Sequence, residues 1–298
     1  MFKQLRKTYI WYLFIAPTYI LFAIFVAYPT FETFRLSFFR EVATKQQLVG
    51  FLHYGRLITN DIFIHSLLNT ILLGAAFMIL VLPISLLLAT FINNLHVGQN
   101  LFKVVYFLPQ VTSTVAVALI FSYVFQPSWG LVNGTIHALG IHALPLWLAD
   151  PRYNLTGSRS AVTILAVWIA SGYYMLILLA GLQAIPKEFY DAAVVDGAGP
   201  LQTWWYITIP SLRPSFVFLI ITGSIDAFSR FSDLWMLGGP AGTPARSLQT
   251  IVMYIYQTAF DSNDYNLASA ATVILFIVML LVTLVNFRTL LQREFAEF

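Results

Sequence analysis

PKEFYDAAVVDGAGPLQTWWYITIPSLRP, residues 186–214, is a polar island between two long apolar stretches. Pro186 suits the first position of a helix and Gly197 suits its end, which brackets about ten residues, or three turns. Glu188 and Asp191 fall in the early turns, where carboxylates complement the positive end of the helix dipole. Ala192 and Ala193 are small enough to let that helix approach another surface closely. Asp196 sits at the unfavourable end of the dipole, at a cost of roughly 0.3 to 1 kcal/mol, so it is expected to turn outward and cap the amides of Ala198 and Gly199. A second short helix is expected to start at Pro200. The Asp-Ala-Ala triplet by itself also fits an ordinary amphipathic loop; the full spacing sets this segment apart.

The flanks are those of a membrane protein. Charged residues make up 10% of the chain, against about 25% in soluble domains. Hydrophobic residues make up 59%, and the mean hydropathy is +0.77. Crossing 30 Å of hydrocarbon takes about 20 apolar residues, and six stretches approach that length: 9–28, 66–92, 104–125, 161–183, 213–235 and 266–287. The first is too long for a signal peptide, and Ala27-Tyr28-Pro29 is a poor cleavage site, so it reads as a retained span. Pro17, Pro83 and Pro109 are expected to bend helices where neighbours satisfy the freed carbonyls. Lys3, Arg6 and Lys7 ahead of the first span argue for a cytoplasmic N-terminus. Six crossings then return the C-terminus to the same side and leave the loop 184–212 inside. The reading is therefore an all-α membrane protein, a single transmembrane domain over 1–298 carrying that loop.

Several chemistries are excluded. Cysteine is absent, which removes disulfides and thiolate metal sites. The five histidines are scattered, and His137 and His142 lack the i, i+4 spacing of a helical ligand pair, so no metal site is expected. A net charge of +3 without a basic run gives no footprint for nucleic acid. No GxxxxGK[ST] sequence occurs, and the glycine-rich GGPAGTPA lacks the lysine, so the chain has no ATP site of its own.

The arrangement Asp191-Ala192-Ala193, Asp196-Gly197-Ala198, then Ile207 to Pro210 and Pro214 resembles the cytoplasmic EAA loop of binding-protein-dependent ABC importer permeases. Asp191 stands where the usual residue is Glu, keeping the charge on a stem one methylene shorter. Tyr106 to Pro109, Phe125-Gln126-Pro127, Gly130 to Asn133, Gly181 to Pro186, Gly238-Gly239-Pro240, Tyr254-Ile255-Tyr256 and Ala259-Phe260 extend the likeness over nearly the whole chain, towards the maltose-type and glycerol-phosphate-type sugar branch. The resemblance implies six transmembrane helices in the type I importer fold, with a cytoplasmic coupling helix. It implies ATPase coupling through Glu188, Asp191, Ala192, Ala193, Asp196, Gly197, Ala198 and Pro210. The implied partners are a second homologous permease subunit, two ATP-binding subunits that hold ATP and Mg, and an extracytoplasmic solute-binding protein. The implied setting is a bacterial or archaeal cell membrane, with a sugar substrate and no cofactor on this chain.

Asp226, Arg230 and Asp233 lie within the fifth apolar stretch at i, i+4, i+7, the spacing of one helical face. Each charge at midbilayer costs about 2.5 to 3.5 kcal/mol on insertion scales, so that face must meet protein or water. Asp226 is about 13 residues beyond Arg213, roughly 20 Å along a helix, which puts it past the midplane. A sugar ring needs aromatic faces for its apolar side and polar groups for its hydroxyls. Tyr174 offers a ring in the fourth stretch. The maltose-type likeness adds Trp168, Tyr173, Ser224, Ala227 and Phe231 as path candidates. Val167, Phe228, Arg230 and Phe231 replace polar residues of those relatives, so a maltose-like set of hydrogen bonds does not carry over. Two alternatives stay open: a structural ion pair locking helices, and an ion-coupled secondary transporter relaying charge through Asp226, Arg230 and Asp233.

Overall fold

The computed structural model describes residues 2–42, 45–142, 145–149 and 157–291. The side chains of residues 2–11, including Lys3, Arg6 and Lys7, lie outside the described set, as do the C-terminal residues 292–298 and parts of the loop 126–160. The chain divides into two compact units, one formed by 1–64 with 255–277 and the other by 65–254 with 278–298. Among the described residues four helices are long and apolar enough to cross a membrane, and the number is six if each of two bent helix pairs is one span.

In the smaller unit the first span runs from Phe2–Phe22 through a π-helical turn, Ala23–Ala27, into Tyr28–Leu36, with Pro17 inside the helix. None of its apolar window is buried, as suits a helix solvated by lipid. It leads into a feature absent from the all-helical reading, an antiparallel pair of strands, Phe39–Val42 and Lys45–Leu48, with Phe39 opposite Leu48. Arg35 ties helix to hairpin, donating through Nε to Glu32 at 2.8 Å and through Nη1 to Gln46 at 2.7 Å. The sixth-span helix, Tyr265–Leu291, is held here at its start. Asn266 donates to the Leu36 carbonyl at 3.1 Å, and Phe276 meets Phe34 edge to face at 5.7 Å.

The larger unit is organised on two long helices, Asp61–Asn93 and Ser158–Gln183. The first stays unbroken across Pro83. The third span does not: Gln99–Val111 and Thr114–Val124 meet at 95°, just after Pro109. The fifth departs most from expectation. Helix Arg213–Phe228 stops, and a separate helix, Ser232–Gly238, begins after Phe231, whose backbone sits at φ −139° and ψ −59°. Arg230 therefore lies in a break, which corrects the continuous helical face expected for Asp226, Arg230 and Asp233. The break brings the guanidinium onto Asp233 and the Val162 carbonyl, a pairing that offsets part of the cost of a charge in an apolar surrounding.

Lipid tails are as apolar as leucine, so membrane helices associate through close packing and hydrogen bonds rather than through water exclusion. Ser158–Gln183 shows this directly. A Cβ at Gly172 would lie 1.9 Å from the Tyr106 carbonyl oxygen, so the helix rests flush on Gln99–Val111. A Cβ at Gly223 would lie 2.0 Å from the Tyr174 hydroxyl. Met175, Leu178, Leu179, Val81, Leu212 and Leu219 fill the core around these approaches, and Ser85 donates to the Ser171 carbonyl at 3.1 Å. At the N-terminal end of the same helix, Arg159 donates to Asn69 at 2.7 Å. The Asn69 amide donates in turn to the carbonyls of Arg246 and Gln249 at 2.9 and 3.1 Å. Thr70 accepts from the Ile251 amide at 2.9 Å.

Gly172→Val is expected to lower stability by more than the about 1 to 3 kcal/mol typical of overpacking, since the obstacle is backbone. A thermal melt of purified protein within about 1 °C of wild type would contradict this packing.

Candidate functional site

The polar island folds as a short exposed helix, Lys187–Val195, one residue shorter than expected because Pro186 is its N-cap. Its end is a Schellman motif: Gly197 stands at φ +74°, its amide donates to the Val194 carbonyl at 3.1 Å, and the Ala198 amide donates to Ala193 at 2.9 Å. This corrects the capping role given to Asp196. The Ala198 amide is taken by a backbone carbonyl and the Gly199 amide by the Gln202 side chain at 2.9 Å, which leaves the exposed Asp196 carboxylate to solvent. The second helix does begin at Pro200, as Pro200–Thr203, and continues through a π-helical segment, Trp204–Thr208. Tyr190 and Thr208 share a hydroxyl hydrogen bond of 3.2 Å, which fastens the exposed helix to that return segment.

Glu188, Asp191, Ala192 and Gly197 are all exposed, as is Pro210 in the return segment, whereas Ala193 is buried and Ala198 is half-buried. Phe189, Val194 and Val195 are exposed at 55%, 74% and 87%. A surface with this mix of apolar side chains and carboxylates offers shape and contact.

The second feature is a cavity of about 390 Å³ in the larger unit. Tyr173, Tyr174, Asp226, Ala227, Arg230 and Asp233 line it, so six of the nine path candidates come together. Gln110 and Thr114 join them from either side of the bend in the third span. Sequence reading missed these two; the available signal was polar residues beside Pro109 in an apolar stretch. The other three candidates lie elsewhere. Trp168 stacks near Phe121 with ring centroids 5.3 Å apart and faces an apolar groove with Leu80 and Val105. Ser224 donates to the Ile220 carbonyl at 2.6 Å and accepts from Asn286 at 3.3 Å. Phe231 packs on Trp235 at 5.1 Å.

Inside the cavity, Arg230 is ion-paired with Asp233, both nearly buried, and its Nη2 also donates to the Val162 carbonyl at 3.2 Å. Its Nη1 is buried and makes no hydrogen bond among the described residues. Asp226 is exposed and forms no ion pair among them. The lining thus presents an open carboxylate acceptor, hydroxyls and aromatic rings, while the guanidinium is held by Asp233 and the Val162 carbonyl. Among the described residues no cluster of three or more His, Cys, Asp or Glu is placed to hold a metal ion.

A family model described as "Binding-protein-dependent transport system inner membrane component" matches residues 81–294. The arabinooligosaccharides transport system permease protein AraP of Bacillus subtilis is 32% identical over 279 residues, covering 93% of this chain and 87% of that protein. The lactose transport system permease protein LacF of Rhizobium radiobacter is 31% identical, covering 93% and 91%. The sn-glycerol-3-phosphate transport system permease protein UgpA of Rhizobium meliloti is 27% identical, covering 95% and 94%. Among solved structures, a chain of a bacterial alginate ABC transporter in complex with an alginate pentasaccharide-bound periplasmic protein superposes with a TM-score of 0.85 at 24% identity, over 99% of this chain and 98% of that one. That likeness gives the fold.

Arg230→Ala is expected to destabilise the protein by about 3 kcal/mol, because it leaves the Asp233 carboxylate buried without its cation. The double change Arg230→Met with Asp233→Leu should recover most of that loss in thermal unfolding. Equal stability of the single variant and wild type would remove the pair from the structural framework.

Proposed function

Because the chain belongs to the family of inner membrane components of binding-protein-dependent transport systems, we propose that it is the permease subunit of an ATP-driven importer of a sugar or polyol derivative. In this reading one transmembrane domain, 1–298, forms half of a translocation path with a second homologous permease. Two ATPase subunits bind ATP and Mg and do the hydrolysis, and this chain performs no chemistry. A solute-binding protein delivers substrate to the loops 29–63, 126–160 and 236–265, on the side away from both termini.

The observation that carries the proposal is the exposed helix Lys187–Val195. Its apolar side chains Phe189, Val194 and Val195 stand in solvent, a state that costs free energy unless a protein partner covers them. Its Schellman stop and the Tyr190–Thr208 bond give it a fixed attitude. A helix so mounted transmits force from an ATPase groove to the fourth and fifth spans, between which it lies in sequence, and alternating access follows from that coupling. Relatives named as permeases for arabinooligosaccharides, lactose and sn-glycerol 3-phosphate support the substrate range. Tyr173, Tyr174, Asp226, Ala227, Arg230 and Asp233 serve as this subunit's part of the path.

In proteoliposomes holding the complete importer, Asp191→Ala and Gly197→Val are expected to cut ATP-driven uptake at least tenfold while permease content of the membrane is unchanged. Gly197→Val acts through the left-handed backbone, which costs a β-branched residue about 1 kcal/mol or more. Full uptake in both variants would remove the coupling role. Uptake that persists without ATP at constant membrane potential would replace the importer by the ion-coupled alternative.

Sidedness has its own test, aided by the absence of native cysteine. Val195→Cys should react with a membrane-impermeant maleimide in inside-out vesicles and stay unlabelled in intact cells. Labelling from outside would invert the proposed topology.

A further inference from the structure

We infer that the cavity around Asp226 selects an uncharged polyhydroxylated solute and disfavours one carrying phosphate or carboxylate. This rests on the permease reading above and names the substrate class for the same site. Of the charged groups on the cavity lining, Asp226 and Asp233 are acids and Arg230 is the single cation. The Arg230 charge is already committed, since its guanidinium is ion-paired with Asp233. An incoming anion must displace a carboxylate fixed three residues away along the chain. It must also approach Asp226, which stands exposed and forms no ion pair among the described residues. Were Asp226 to take up a proton, the lining would become neutral and never positive.

Recognition of phosphate or carboxylate relies on surplus guanidinium or ammonium groups, often bidentate, and among the described residues the cavity lining offers none. Like charges also repel more strongly in a cavity of low dielectric than in water. A neutral sugar meets complementary groups instead. Its hydroxyls donate to Asp226 and exchange hydrogen bonds with Gln110 and Thr114, while an apolar ring face lies on Tyr173.

The test uses the complete importer with its binding protein in proteoliposomes loaded with ATP. They are offered an equimolar mixture of maltose, lactose, arabinotriose, sn-glycerol 3-phosphate and digalacturonate, and the accumulated solutes are identified by mass spectrometry. The best neutral probe is expected to enter at least tenfold faster than either acidic one. An acidic probe that enters as fast as the best neutral probe overturns the inference. Asp226→Lys should lower the neutral-to-acidic ratio at least threefold, and Asp226→Asn, which keeps the side-chain shape, should lower it in the same direction. A ratio unmoved in the well-assembled Asn variant moves the selection away from this cavity and also overturns the inference. Loss of ATP dependence with the ratio intact counts against the importer reading alone.

Discussion

Backbone contact at Gly172 is the constraint on which the site depends. No side chain fits between that residue and the Tyr106 carbonyl, so the fourth span lies on the third at a fixed depth. Tyr173 and Tyr174 follow immediately, and the same contact therefore sets where both rings meet the cavity. The Tyr174 hydroxyl then fills the notch left by Gly223, which positions the fifth-span helix three residues ahead of Asp226. In a solvent that gives no reward for bringing apolar helices together, this chain of close approaches does what a hydrophobic core does in water.

The fifth span is interrupted where it borders the polar lining. A straight helix through residues 213–235 would have held Arg230 along a continuous surface with its donors facing whatever lay opposite. The stop after Phe228 and the restart at Ser232 let the guanidinium turn onto Asp233 and the Val162 carbonyl. One cation and one anion are thereby neutralised in place, and Asp226 is left as the open charge. The bend in the third span contributes Gln110 and Thr114 in a similar way. Both interruptions fall where the chain surrounds a cavity, which is where irregular backbone is tolerated in a membrane.

The long elements were legible from composition and hydropathy, because a span must be apolar over a fixed length, and four of the six stretches are continuous helices. The short helix after Pro186 was legible too, from proline at one end and glycine at the other. Its cap was misjudged at Asp196: local preference favoured a side-chain cap, but the left-handed Gly197 lets backbone carbonyls take the amides first. The helical face through Asp226, Arg230 and Asp233 failed for a different reason, since hydrophobic periodicity carries no signal of the break between Phe228 and Ser232. Trp168 was placed by likeness to relatives, whereas its ring faces an apolar groove beside Phe121. The strand pair at 39–48 carried no apolar alternation to reveal it.

Asn69 joins three distant segments through one amide: the second span, the start of the fourth through Arg159, and the turn at residues 246–249. These hydrogen bonds tether the three segments to one another. The exposed helix Lys187–Val195 lies at the opposite end of the fourth-span helix, about 39 Å away for 26 helical residues. In the proposed importer a push applied there would meet a tethered far end and become tilt, so that displacement grows along the helix with distance from the Asn69 contacts.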